Sequence, residues 1–399
     1  MGDIDQPPNS AANDRRAGAF TVRLSSIAEV AAEDWDACAG PQPNPFTSHA
    51  FLAALEESGS AAAETGWLPQ HLLLEDDAGK LLGCMPCYLK SHSQGEYVFD
   101  HGWADAYLQA GGRYYPKLQA SVPFTPVTGQ RLLVRPGKGA DEREGLLLQA
   151  GMQVADRLGV SSLHVTFLTR EEWQRAGALG LLQRTGQQFH WQNDNYAGFE
   201  DFLNALASRK RKTIRRERRD ALSEGIEIEW VTGSDLTEAH LDAFFAFYQD
   251  TGSRKWGSPY LTRDCFSLLR QSMANRILLV LARRDGRHVA GAFNIIGEDT
   301  LYGRYWGSLE HHAFLHFEVC YYQAIDFAIQ HGLKRVEAGA QGAHKLARGY
   351  LPSETYSAHY ITHPGLRRAV ADYLKRERRQ VAREAALLTE ESPFRRGAN

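Results

Sequence analysis

The chain has little cysteine, no long apolar run and no marked excess of charge of either sign. Five cysteines in 399 residues are too few for a disulfide scaffold and fit a reducing compartment. No stretch approaches the ~20 apolar residues that a membrane-spanning helix needs. The opening residues, Met1-Gly2-Asp3-Ile4-Asp5-Gln6-Pro7-Pro8, carry neither the basic nor the apolar region of an export signal. Gln6 stands where an N-myristoylation signal expects Ser or Thr. The cytoplasm is the expected location. A formal net charge of −3 excludes nucleic-acid binding by bulk charge. With 43% apolar and 23% charged residues, a disordered chain and a fibre are excluded as well. No serine-hydrolase elbow, Walker loop, dinucleotide fingerprint or zinc-protease motif occurs in a fitting context. Cys84-Met-Pro-Cys87 stands alone on a strand, where positions i and i+3 face opposite sides, so it is read as core and no metal site is expected.

What is present is an α/β pattern that occurs twice. The length predicts two domains. After a disordered lead over 1–17, the first half reads as a strand (19–24), a short helix at 34–36, and a helix after the cap Thr47-Ser48. A strand pair (70–75 and 80–89), a helix over 141–158 and a strand over 162–167 follow. The second half reads as a helix over 199–223, a strand over 226–231 and a helix over 237–250. A hairpin (277–282 and 289–296), a strand over 300–306, a helix over 314–331 and a strand over 335–338 complete it. The boundary is expected near 192–197, giving domains 18–195 and 196–365 and a charged helical tail, 366–399. Residues 114–129, with three prolines, are expected to form an ordered loop over the interface between the halves.

Charge is concentrated in two places. Residues 208–219 hold eight basic side chains and one acid. On a helix, Arg209, Lys212, Arg216 and Arg219 share one face and Arg211, Arg215 and Arg218 the next. Like charges at i,i+4 repel, and phosphates would offset them through charge-assisted contacts. Arg209, Lys210, Arg211, Lys212, Arg215 and Arg216 are the candidate phosphate ligands, the alternative being a solvated linker helix. The tail over 366–384 is the second basic patch.

Titratable residues in the second half are candidates for chemistry. Glu318 shares a helical face with the apolar Tyr322, Ile325 and Ile329. A carboxylate there needs a partner or a shifted pKa. It reads equally as a general base, an ammonium ligand or half of a salt bridge with Arg304. His344 follows the glycines Gly339 and Gly342 in a loop suited to close ligand approach and is the best-placed base near neutral pH. Thr251-Gly-Ser-Arg-Lys-Trp256 reads equally as an ordinary turn or as one whose Lys255 and Trp256 bind an anion or a ring.

Five segments together carry a resemblance. They are 99–105 (Phe-Asp-His-Gly-Trp-Ala-Asp), 115–118 with 122–126, Arg209-Lys-Arg-Lys212, His316-Phe-Glu-Val-Cys-Tyr-Tyr-Gln323, and Gly339-Ala-Gln-Gly342 with His344-Lys-Leu-Ala-Arg348. They resemble the peptidoglycan biosynthesis/recognition family, related to the Fem-type aminoacyl transferases within the GNAT acyltransferase superfamily. The resemblance covers nearly all of the chain after residue 20. It implies two tandem GNAT-like domains and an N-acyltransferase that moves an acyl or aminoacyl group onto an amine, such as a cell-wall precursor. Acyl-CoA or aminoacyl-tRNA would be the co-substrate, with no tightly bound cofactor and with an amine or peptide acceptor. In this scheme Glu318 or His344 takes the amine proton, and N–H groups of the strand 289–296 hold the oxyanion. Lys345 and Arg348 sit near a carboxylate, and Arg304, Trp306, Tyr322 and Gln341 complete the substrate site. Three departures matter. The GNAT pyrophosphate loop is absent before the helix 314–331, a Fem-type coiled-coil arm has no counterpart, and Ala343 replaces an expected acid. The competing class is a non-catalytic module that recognises a peptidoglycan precursor or another phosphate-bearing ligand.

Overall fold

The computed structural model describes residues 20–256, 259–339 and 342–395, without the side chains of 253–256 and 343. The lead over 1–17 lies outside these residues. Two mixed α/β units follow each other, and each contains a right-to-read signature of duplication: two parallel strands joined through a helix. In the first half Lys117–Ala120 runs parallel to Ser162–Leu168, with the helix Ala140–Leu158 between them in sequence. In the second half Thr300–Ser308 runs parallel to Arg335–Glu337, with the helical segment 315–330 between them. Parallel pairing requires such a crossover.

The last strand of each half lies beside the other half. Leu182–Gln192 pairs with Arg335–Glu337, and Leu351–Ile361 pairs with Ser162–Leu168. The two exchanged strands also pair with each other, from Leu351 opposite His190 to His359 opposite Leu182. One sheet of eleven strands therefore spans both halves, and a separate four-stranded antiparallel sheet completes the first. The chain boundary near 195 is not a boundary of the sheet. An apolar core also crosses the seam, joining Trp35, Phe46, Leu55 and Trp67 to Phe244, Phe266 and Phe293.

Several expected elements differ, each for a local reason. Residues 117–120, expected in a loop, form a fully buried strand inside the large sheet. The helix expected over 199–223 is two helices, Phe199–Ala205 and Ser208–Ala221. Leu206 is extended and bridges to Phe394, and the Ala207 N–H donates to the Pro393 carbonyl at 2.9 Å, so the end of the chain pries the helix apart. The helix expected over 314–331 contains a π-helical turn, Glu318–Tyr322, between Leu315–Phe317 and Gln323–Gln330. The turn expected at 251–256 is the end of a longer helix, Glu238–Trp256. The charged tail is the helix Pro364–Glu390. Cys84 and Cys87 are both buried, as the core reading required.

Gly307 marks where the helix Glu238–Trp256 meets the sheet, since a Cβ there would run into the Phe247 carbonyl. Gly307→Ala is expected to cost about 1–3 kcal/mol through overpacking. A thermal melt would show a lowered midpoint; an unchanged midpoint would contradict this packing.

Candidate active site

A cleft of about 690 Å³ opens at the seam between the halves. The first half supplies one wall, with Trp67, His92, Ser93, Tyr97, His101 and Phe124. The second half supplies the other, with Tyr260, Arg304, His316, Tyr321, His344 and Lys345. Two smaller chambers, of about 120 and 230 Å³, share Arg304 and His316 with it and add Trp306. Aromatic contacts hold the walls together: Phe124 stacks on Tyr260 with centroids 5.0 Å apart, and the Tyr305 hydroxyl donates to the Phe124 carbonyl at 3.2 Å.

The wall from the first half rests on a buried polar network. Lys117 Nζ donates to Glu96 Oε2 at 2.7 Å and to Ser93 Oγ at 2.9 Å, and also bonds Asp100. The Tyr114 hydroxyl donates to Asp100 at 2.6 Å. Burial pushes the Glu96 carboxyl up to about 7, against the pull of Lys117. Burial also pushes the Lys90 amine down to about 7. His92 is held on both ring nitrogens, by the Thr65 carbonyl at 3.1 Å and the Gln94 N–H at 3.1 Å. The motifs 99–105 and 115–118 thus build a rigid wall, a role that spacing alone did not assign.

Three predicted residues meet in the cleft from the other side. His344 is exposed, and its Nε2 lies 3.0 Å from the Tyr321 hydroxyl. Partial burial, and then the charges of Lys345 and Arg348, lower its pKa below the usual 6.5, so the ring is neutral near pH 7. Lys345 is almost fully buried and donates to the Gly339 carbonyl at 3.0 Å. Burial, reinforced by the charge of Arg304, brings its amine down to about 8. Arg304 owes its position to a β-bulge. Phe293 pairs with Tyr305 and Asn294 with Gly303, which leaves Arg304 as the extra residue. A bulge of this kind re-aims a side chain. Its guanidinium donates to the Gly303 carbonyl at 3.0 Å and to Glu337 at 3.4 Å, while its buried Nε has no partner among the described residues. A ligand oxygen would satisfy that donor.

Other predicted residues are elsewhere. Glu318 is fully buried in an ion pair, with Arg218 rather than Arg304. Arg218 donates at 2.9–3.2 Å, and Gln323 Nε2 donates at 2.7 Å. The π-helical turn points this carboxylate at the basic helix Ser208–Ala221 and away from the cleft, so it has no access to a substrate proton. Tyr322 is buried and bonds Glu217. Arg348 is also committed to Glu217, at 2.9 and 3.0 Å, and donates to the His344 carbonyl at 2.7 Å. Trp306 lines the small chambers, with its ring 5.2 Å from that of His316. Gln341 and the side chains of Lys255 and Trp256 lie outside the described residues. The strand Arg287–Ile296 is paired along both edges apart from the bulged Val289. Sequence reasoning missed Tyr321 and His316, although both lie in the segment 316–323 that carried the resemblance.

The basic helix lines a second hollow, of about 300 Å³, with Arg209, Lys210 and Thr213 facing Ala347 and Arg348. Arg209, Lys210, Lys212 and Arg216 have no ion-pair partner among the described residues, while Arg215 pairs with Glu200 at 2.5 Å and Arg211 donates to Asn204 at 3.3 Å. The turn Ala343–Arg348 links this hollow, through Arg348, to the cleft, through His344. Among the described residues no helix is long and apolar enough to cross a membrane.

Comparison with known proteins gives the frame for this geometry. The sequence model of the FemAB-like family, peptidoglycan biosynthesis/recognition, matches residues 26–396. The crystal structure of FemX is similar with a TM-score of 0.55 at 14% identity, over 86% of this chain and 98% of that one. The structure of L-PGS from Bacillus licheniformis is similar with a TM-score of 0.50 at 11% identity, over 84% and 98% of the two chains. No curated protein sequence matches. At such identities the likeness speaks for the fold alone.

The ion pair of Glu318 separates a structural role from a catalytic one. Glu318→Ala, which leaves Arg218 only its 3.7 Å contact with Asp326, is expected to cost about 3 kcal/mol. Glu318→Gln is expected to keep ligand binding within about twofold while lowering the thermal midpoint. A loss of binding or turnover in a folded Glu318→Gln protein would return this residue to the active site.

Proposed function

The chain belongs to the FemAB-like family of peptidoglycan biosynthesis/recognition, and from that premise we propose that it transfers an acyl or aminoacyl group from an activated donor to an amine. The observation that carries the reading is the approach of His344 Nε2 to the Tyr321 hydroxyl, beside Lys345 and Arg304, at the seam of two GNAT-like domains. A neutral imidazole accepts a proton, and the two buried cations favour charge that develops on a carbonyl oxygen. In the proposed reaction the acceptor amine gives a proton to His344 and forms a bond to the donor carbonyl carbon. Arg304 and Lys345 hold the resulting oxyanion. The carbonyl re-forms as the bond to the leaving thiolate or ribose oxygen breaks, and Tyr321 or the protonated His344 returns the proton to it. Phosphates of the donor lie over Arg209 and Lys210 in the second hollow, and the turn that carries His344 connects the two places.

An acyl-CoA and an aminoacyl-tRNA both present phosphates and a reactive carbonyl, so the basic helix suits either. The paired strand Arg287–Ile296 and the missing pyrophosphate loop favour a donor other than acetyl-CoA. The acceptor is an amine or peptide, with a cell-wall precursor as the family suggests and the cytoplasm as the setting. Ala343 favours the competing reading, a binding module, because a methyl group stands where an acid is expected.

The test is a thermal-shift titration with acetyl-CoA, longer acyl-CoAs and charged tRNA at two salt concentrations, followed by a transfer assay with whichever donor binds. A ligand specific for the folded state raises the midpoint. His344→Gln is expected to lower kcat by about 10²–10⁴-fold with little change in the midpoint, because the side chain is exposed. The rate is expected to fall on the acid side, at a pH lower than an ordinary histidine would give, as His344 gains its proton, and again above about pH 8, as Lys345 loses its charge. Binding without turnover would support the module; no shift with any donor would remove both readings of the hollow.

A further inference from the structure

Far along the same sheet from the cleft residues, three ligand-type side chains converge that the transfer reaction does not use. Glu229 lies on Glu227–Thr232, which forms one edge of the large sheet. His240 lies in the first turn of the helix Glu238–Trp256, and His288 opens the strand Arg287–Ile296. One ligand atom from each lies within 4.8 Å of the other two. All three side chains are half-buried.

The sheet departs from regular pairing to bring them together. Ala282 pairs with Ala290, but Arg283 pairs with His288, so Val289 is an extra residue. Strict alternation would put His288 on the face opposite Glu229. The bulge moves it onto the face of Arg283 and Leu281, and Leu281 is the register partner of Glu229. His288 Nε2 then bonds Glu229 Oε1 directly. His240 approaches from the helix, its ring 5.8 Å from that of His288, with Nδ1 3.1 Å from the Thr237 hydroxyl. The Thr237 N–H donates to the same Nδ1 at 3.3 Å, which fixes the ring through that nitrogen. Arg283, which shares the face, is committed to Glu227 at 2.7 Å.

We propose that Glu229, His240 and His288 bind a zinc-class divalent cation, with water completing a tetrahedral shell. Two imidazoles and one carboxylate suit such an ion. The ion would tie the first turn of the helix to an edge strand. The same helix carries Tyr248, Thr251 and Gly252, which wall the larger side chamber of the cleft. The site needs no assumption about the donor or acceptor.

The test uses the full chain, stripped with a chelator and titrated with Zn²⁺ at pH 7.5 by calorimetry, with the thermal midpoint read in parallel. One ion per chain and a raised midpoint are expected. The double variant His240→Gln/His288→Gln is expected to lose at least about tenfold in affinity while keeping its midpoint in the chelator. Should that variant fail to fold, Glu229→Gln, which keeps a hydrogen-bonding group beside His288, is expected to show the same loss. Absence of binding by the wild-type chain, or unchanged affinity in the folded variants, overturns the proposal.

Discussion

The ladder between Leu182–Gln192 and Leu351–Ile361 is the constraint on which the rest depends. Each strand belongs by sequence to one half and pairs into the other, so the halves cannot separate without breaking the middle of a sheet. Backbone hydrogen bonds left unmade in a buried setting cost about 1–3 kcal/mol each. The shared apolar core adds to this. The cleft therefore lies on a fixed seam, and its two walls hold one relative position.

That fixed seam gives the cleft its chemistry. The wall from the first half brings a buried ion network, with His92 and His101 at the cleft. The other wall brings His344, Tyr321, Lys345 and Arg304, whose properties come from neighbours. Lys345 is pushed toward neutrality by burial and by Arg304, and Arg304 is aimed by a bulge that exists because one strand carries an extra residue. Glu318, by contrast, spends its charge on Arg218. The basic helix is thus divided, with Arg218 holding the fold while Arg209, Lys210, Lys212 and Arg216 remain available to an anion.

Local signals in the sequence were legible where local physics decides. The Ser48 cap accepts from the Phe51 N–H as its position predicted, and the hairpin over 277–296 follows from alternation and an Asp-Gly turn with both residues at positive φ. Tandem α/β units could be read from the repeated order of elements, and the structure brings the candidates His344, Lys345 and Arg304 to one cleft. What could not be read depends on distant parts of the chain. Lys117–Ala120 looks like a loop beside prolines until the strands 88–90 and 162–168 flank it. The break at Leu206 is made by residues near 394, and the strand exchange leaves no mark on periodicity. Glu318 presented an apolar helical face in a regular helix; the π-helical turn, invisible to a 3.6-residue period, gave it a different partner.

The most direct measurement is hydrogen exchange of the protein with and without its bound donor. A reaction at the seam predicts added protection in both walls together, at residues 92–101 and 315–322, and in the basic helix Ser208–Ala221. Protection confined to the basic helix, with both walls of the cleft unchanged, would contradict the assignment of the cleft as the place where the acyl group is transferred.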